Sequence, residues 1–311
     1  MSASDLSTAP AAGTGAARLN RWPLIVATCV SSLAGFLFGY DNIVISGAIE
    51  YLTRCFQLDA GGTGWAAGCA LVGCLAGSAS AGAVADRIGL RKSLYLCAAC
   101  FALSSAGVLF AGTLAQFVAW RLLGGLGIGA ASILAPMYIA EIAPTRIRGR
   151  LVTLYQLGIV LGIFCAVLVN MLIQRGGDEA WNTANGWKWM FFAGVAPALL
   201  FGAAITQAVE SPRWLMKVGR REEALTVLTR INGREVADAE ARSIEASQSE
   251  EQGGFSELFT TGFRRALILG IVLAGLSQAS GITPLFSYLP EIFKAAGAAT
   301  GDAFSRLSSS A

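Results

Sequence analysis

RLLGGLGIGAASILAPMYIAEIAPTRIRGR, residues 121–150, decides how the rest of the chain reads. It opens on Arg121, runs without a charge from Leu122 to Ala140, and closes on Glu141 followed by Arg146, Arg148 and Arg150. About 20 apolar residues in a helix span the hydrocarbon core of a bilayer. The uncharged run is nearly that long, so Arg121 lies at or inside one end of a membrane span. An arginine there is costly unless it faces a partner or water. Gly125, Gly129 and Ser132 continue the face of Arg121 at helical spacing, and small residues on that face let a neighbouring helix come close. The stretch therefore predicts a membrane helix with a charge on a tightly packed face and a basic loop at its end.

Composition agrees. Of the 311 residues, 54% are hydrophobic and 14% charged, too apolar for a soluble globule of this length. Histidine is absent, which removes imidazole catalysis and the commonest metal ligand. The seven cysteines are odd in number and mostly sit inside apolar runs. Cys97 and Cys100 form a C-x-x-C with no second pair, so the cysteines read as small packing residues and not as a disulfide framework or a metal site. With no nucleophile–base pair either, the chain is not expected to be an enzyme or to hold a cofactor. Gly125-Leu126-Gly127-Ile128-Gly129 looks like part of a nucleotide-binding loop, but it follows no strand and sits inside a membrane span.

Residues 1–21 read as a disordered tail. Seven long apolar segments follow: 22–40 (resuming after Asp41 to Ile49), 60–85, 93–120, 122–140, 151–174, 189–209 and 266–290. Gly73/Gly77, Gly125/Gly129 and Gly158/Gly162 repeat a small-xxx-small spacing that argues for a tight bundle. Of the 23 Lys and Arg, 17 fall on the side of the N-terminus. The positive-inside rule puts that side, and the N-terminus, in the cytoplasm. The domains expected are the tail, a six-helix bundle over 22–211, cytoplasmic amphipathic helices over 212–263, a seventh span over 264–294 and a tail over 295–311. Within 212–263, Ala224, Leu225, Leu228 and Ile231 recur at helical spacing, Asn232-Gly233 is a stop signal, and a second helix is expected around 236–247. The seventh span carries Gly281, Pro284 and Pro290, the pattern of a broken helix that lines a cavity.

Asp41 is a carboxylate within a span, with Phe38 a turn earlier on the same face. Intramembrane acids commonly relay protons, and an acid whose partner, Arg121, can come and go could load and release one. A fixed structural pair is the alternative, and contact with headgroup water a third. Gln156, Gln278 and Thr283 put amide and hydroxyl groups into spans five and seven, which suits a neutral, hydroxyl-rich ligand; such groups also join helices. Trp65, Trp120, Trp181, Trp187 and Trp189 lie near span ends, as in an interfacial belt.

Several motifs together resemble the sugar porter family of the major facilitator superfamily: GFLFGYDNIVISGA (35–48), GAVADRIGLRK (82–92), RLLGGLGIG followed by PMYIAEIAPTRIRGR (to 150), YQLGIVLGI (155–163), ESPRWL (210–215) and SQASGITPLFSYLPEIF (277–293). The resemblance implies an all-α integral membrane protein of the major facilitator type, incomplete at about seven of twelve spans, in the plasma (inner) membrane. It implies proton symport of a small neutral monosaccharide. Asp41 and Arg121 then couple the proton, and Phe38, Gln156, Gln278, Ser277, Thr283 and Tyr288 meet the sugar. Asp86, Arg87, Arg91, Glu141, Arg148, Glu210 and Arg213 match the family's cytoplasmic charge network. The implied partners are the sugar, protons, the bilayer and the missing C-terminal half of the same transporter; no nucleic acid and no metal are implied. Ser277 stands where the family has the first of two glutamines, Thr283 where it has an asparagine, and Ser287 where it has one of two tyrosines. The alternatives are a facilitative carrier and a sugar sensor that does not transport; no long signalling tail favours the sensor.

Overall fold

The computed structural model describes residues 21–250 and 261–281, all helix, turn or loop with no strand among them. α1 (Arg21–Phe56), α2 (Ala60–Ile88), α3 (Leu90–Val108), α4 (Leu114–Ile142) and α5 (Thr145–Gly176) follow one another through short connections. The sixth passage is broken into α6 (Glu179–Trp181), a π-helical turn (Asn182–Gly186), α7 (Trp187–Phe192) and α8 (Val195–Thr206). Then come α9 (Pro212–Lys217), α10 (Arg221–Asn232), α11 (Arg234–Glu250) and, apart from these, α12 (Thr261–Ala279). The spans around α1, α2, α4, α5 and α6–α8 are long and apolar enough to cross a membrane. α3 carries Arg91 and Lys92 in its first turn and is less apolar for that reason.

Two parallel helix pairs form the bundle's seams. Gly73 and Gly77 of α2 lie on the backbone carbonyls of Leu122 and Leu126 in α4, while Gly125 and Gly129 of α4 lie on Ala70 and Cys74 in α2. Gly158 and Gly162 of α5 pack on Ser32 and Phe36 of α1, and Gly35 and Gly39 return the contact on Tyr155 and Ile159. The glycine spacing seen in the sequence thus marks where backbone meets backbone. Farther along the α1/α5 seam, Asn170 donates to the Val44 carbonyl (3.3 Å) and Gln174 to that of Gly47 (3.1 Å).

Two boundaries differ from the apolar runs. The stretch 93–120 is not one span: α3 stops at Val108 and α4 starts at Leu114. The Thr113 hydroxyl caps α4 by accepting from the Gln116 amide, and the Gln116 side chain accepts from the Gly112 amide (2.8 Å). The arrangement resembles a capping box, shifted by one residue: the glutamine takes the amide of the residue before the cap and not that of the cap itself. Arg121 consequently lies two turns inside α4. The sixth passage begins at Glu179, ten residues before the uncharged run 189–209. Within it Trp187 is fully buried, so it belongs to the core and not to an interfacial belt. Phe117 meets Trp187 and Phe191 edge-on at 5.8 and 5.6 Å, and Phe56 meets Trp187 at 5.7 Å.

At the other end, α10 and α11 pack through Leu228, Ala237, Ala241 and Ile244, and Gly233 turns the chain between them with φ 82°. α12 shows exposed Ile268, Leu269, Ile271, Val272, Leu273 and Leu276. It ends before Gly281, whose φ is 69°. The tails 1–20 and 295–311, and Pro284 and Pro290 of the broken-span reading, lie outside the described residues.

Candidate substrate site and coupling pair

Asp41 stands twenty residues into α1, near its middle, and Arg121 reaches it from α4. The Arg121 guanidinium donates to Asp41 Oδ1, and both side chains are buried, at 3% exposure for the arginine and 9% for the aspartate. Gly124 and Gly125, the turn after Arg121, let α3 and α2 close around it, against Ser104 and Ala70. The ring of Phe191 in α7 lies 5.0 Å from the guanidinium carbon, within range of a cation–π contact. Arg121 Nε is buried with no hydrogen-bond partner. Next to the pair, Tyr40 donates to the Met190 carbonyl (2.7 Å), which ties α1 to α7 at the same level.

A buried ion pair repays its desolvation only with good geometry and further hydrogen bonds. This pair has one direct contact and an orphaned donor. As a structural strut it is poorly satisfied; as an acid and base that can part, with the arginine keeping a ring face to rest on, it is well arranged.

Phe38 is half-buried on α1, packed against the larger core cluster. Gln156 is exposed on α5. The α1/α5 seam matches Gly35 with Tyr155 and Gly39 with Ile159, so Phe38 and Gln156 stand about one turn apart along neighbouring helices. Ser277 is exposed on α12, its carbonyl accepting from the Ser280 hydroxyl (2.7 Å). Gln278 lies on the same helix; Thr283, Ser287 and Tyr288 lie outside the described residues.

The charged residues at the α2–α3 end are held mainly by backbone and hydroxyl groups. Glu210 accepts from the backbone amides of Arg91 (3.1 Å) and Ser211 (3.0 Å). The Arg91 guanidinium donates to the carbonyls of Ile205 (3.3 Å) and Thr206 (2.9 Å) at the C-terminus of α8, where a cation offsets the helix dipole. Glu141 accepts from the Ser211 hydroxyl, and Arg148 donates to the Ala143 carbonyl at 3.4 Å. Asp86 pairs with Lys217 at 2.9 Å, and the Trp214 indole donates to its carbonyl (3.0 Å). Arg87 and Arg213 are exposed; the Arg213 carbonyl accepts from Gln248 of α11 (2.8 Å). No two of the seven charged side chains named from sequence form an ion pair with each other among the described residues. Lys217, Ser211 and Tyr138 do the joining and were not singled out. Ser211 had a signal: a serine before Pro212 is an N-cap followed by proline at N1.

Tyr138 is buried and donates to the Val209 carbonyl (2.8 Å). Tyr138→Phe leaves that carbonyl without its partner and is expected to lower stability by about 1–3 kcal/mol. Thermal unfolding in matched detergent measures it; an unchanged midpoint would refute the role.

The profile of the family described as "Sugar (and other) transporter" matches residues 27–306. The chain belongs to this family. Among sugar transporter relatives, it is 41% identical over 275 residues to the arabinose-proton symporter of Bacillus subtilis (strain 168), covering 88% of the chain and 59% of the relative. It is 37% identical over 301 residues to the D-xylose-proton symporter of Escherichia coli (strain K12), covering 88% and 61%. Solved structures agree. The E. coli xylose transporter XylE in a partially occluded inward-open conformation superposes with a TM-score of 0.79 at 35% identity, over 87% of this chain and 67% of that one. The proton:xylose symporter XylE bound to 6-bromo-6-deoxy-D-glucose gives 0.80 at 35% identity, over 92% and 65%. The chain spans about three fifths of the length of the curated relatives it matches. It is a multi-pass membrane protein of the major facilitator superfamily.

Within this sugar transporter fold, Phe191 is the residue at the pair that the sequence did not reveal. The π-turn at 182–186 inserts an extra residue per turn just before α7 and so sets which aromatic faces Arg121. Nothing in NTANGWKWMFF announces that turn.

Proposed function

We propose that this chain takes part in proton-coupled transport of a monosaccharide, with Asp41 carrying the proton and Arg121 as its departing and returning partner. The observation that carries this is the buried, singly bonded acid–base pair in mid-helix at the α1–α4 contact. The names of the relatives, arabinose- and D-xylose-proton symporters, support it. Phe38 and Gln156 lie along the α1/α5 seam and serve as sugar contacts, with Ser277, Gln278, Thr283 and Tyr288 completing the site. The basic ends of the bundle face the cytoplasm of the cell that holds the chain in its plasma membrane. Asp86, Arg87, Arg91, Glu141, Arg148, Glu210 and Arg213 fasten that end shut in one state.

The exposed apolar face of α5, including Leu157, Val160, Leu161 and Phe164, and the exposed α12 fit a working unit in which a second helical half packs against this one. Alternating access in such folds is a rocking of one bundle against the other around a fixed site.

The test is sugar-driven proton uptake in proteoliposomes bearing the assembled transporter. Asp41→Asn is expected to abolish accumulation against a gradient while sugar exchange at equilibrium continues. Accumulation that ignores the proton gradient, or survives Asp41→Asn, removes the coupling role.

A further inference from the structure

We propose that a cavity of about 790 Å3 where α1, α3, α8 and α10 meet binds the phosphate headgroup of an anionic membrane lipid. It is separate from the coupling pair: its walls include Trp22, Lys92, Tyr95, Trp214, Arg220 and Arg230.

Depth is the first argument. α1 begins at Arg21, α3 at Leu90, and α8 ends at Thr206, so the cavity opens where three spans leave the apolar layer. Trp22 is 52% and Tyr95 39% exposed there, and such rings settle at the headgroup level.

Charge is the second. Arg91, Lys92, Arg220 and Arg230 line the cavity against only Glu210 and Glu223. Both acids are engaged. Glu223 takes two hydrogen bonds from Arg220 (2.6 and 2.5 Å), and Glu210 takes the amides of Arg91 and Ser211. Lys92 and Arg230 are exposed and have no hydrogen-bond or ion-pair partner among the described residues. An entering phosphate thus meets two uncommitted cations, one on a membrane helix and one on the helical hairpin. Basic pockets between spans at the membrane surface hold anionic headgroups in this way.

The apolar part of the wall, Ala208, Leu215 and Val227, favours a lipid over free phosphate, because it suits the first carbons of a glycerol ester. The volume is that of a small-molecule site. A headgroup held between Lys92 and Arg230 would pin α10 to α3 and so fix the hairpin on the bundle.

Native mass spectrometry of the delipidated full chain, titrated with phosphatidylglycerol or phosphatidylcholine, tests this. The wild type is expected to retain one phosphatidylglycerol in preference to phosphatidylcholine. Lys92→Gln with Arg230→Gln should weaken it on the order of twentyfold, two interfacial cations being lost. Arg175→Gln at the opposite end, and the charge-keeping pair Lys92→Arg with Arg230→Lys, should retain it. Equal retention of both lipids, or undiminished phosphatidylglycerol binding by the Gln pair, overturns the site. Displacement of the lipid by millimolar inorganic phosphate overturns the lipid as its occupant.

Discussion

Arg121→Met alone is expected to cost the fold about 3–5 kcal/mol, because it strands the Asp41 carboxylate in a dry site. Combining it with Asp41→Asn should recover most of that loss, since no buried charge then lacks a partner. The surroundings make the asymmetry large: both side chains are nearly sealed from solvent, and Phe191 offers its ring to a cation but nothing to an anion. Asp41→Asn alone should be milder, because the guanidinium keeps that ring face and can still donate to the new amide. Equilibrium unfolding of the three variants in bilayer discs measures this. A double variant no more stable than Arg121→Met would mean that the pair is not energetically coupled.

Gly77→Leu and Gly162→Leu should prevent the bundle from assembling. A Cβ at Gly77 would fall within van der Waals contact of the Leu126 carbonyl, and one at Gly162 within that of Phe36. These obstacles are backbone, which cannot swing away like the tip of a flexible side chain. Ordinary overpacking costs about 1–3 kcal/mol; with two backbones in contact the loss should exceed about 3 kcal/mol and appear as degraded protein. Gly82→Leu is the internal control, since nothing lies within 4 Å of the added Cβ. Normal accumulation of Gly77→Leu, or equal loss at Gly82, would remove the seam from the account.

The helical class was legible because membrane helices must be apolar over a fixed length. The seams were legible because only small residues admit a neighbouring backbone. Arg121 and Asp41 stood out because charges in apolar runs are rare. The division of 93–120 was hidden because its turn, Leu109 to Gly112, is as apolar as the helices it joins; Thr113 and Gln116 were the legible cue, outweighed by the hydropathy of the run. Phe191 stayed hidden because its direction depends on a π-turn near the start of an irregular passage. Lys217 was missed because a pair formed at the surface, 54% and 61% exposed, has little energy behind it and leaves no pattern in sequence.

The two seams also restrict how this half can change over time. Each register is set by carbonyls nested against glycines at matched heights in both partners, from Gly35 to Gly39 on α1 and from Gly73 to Gly77 on α2. Gaining or losing a single residue between those heights would rotate everything beyond it by about 100° and present bulk where only hydrogen fits. Length variation in related chains should therefore collect in the connectors, and engineered tags or split points will be accepted there and rejected along the seams.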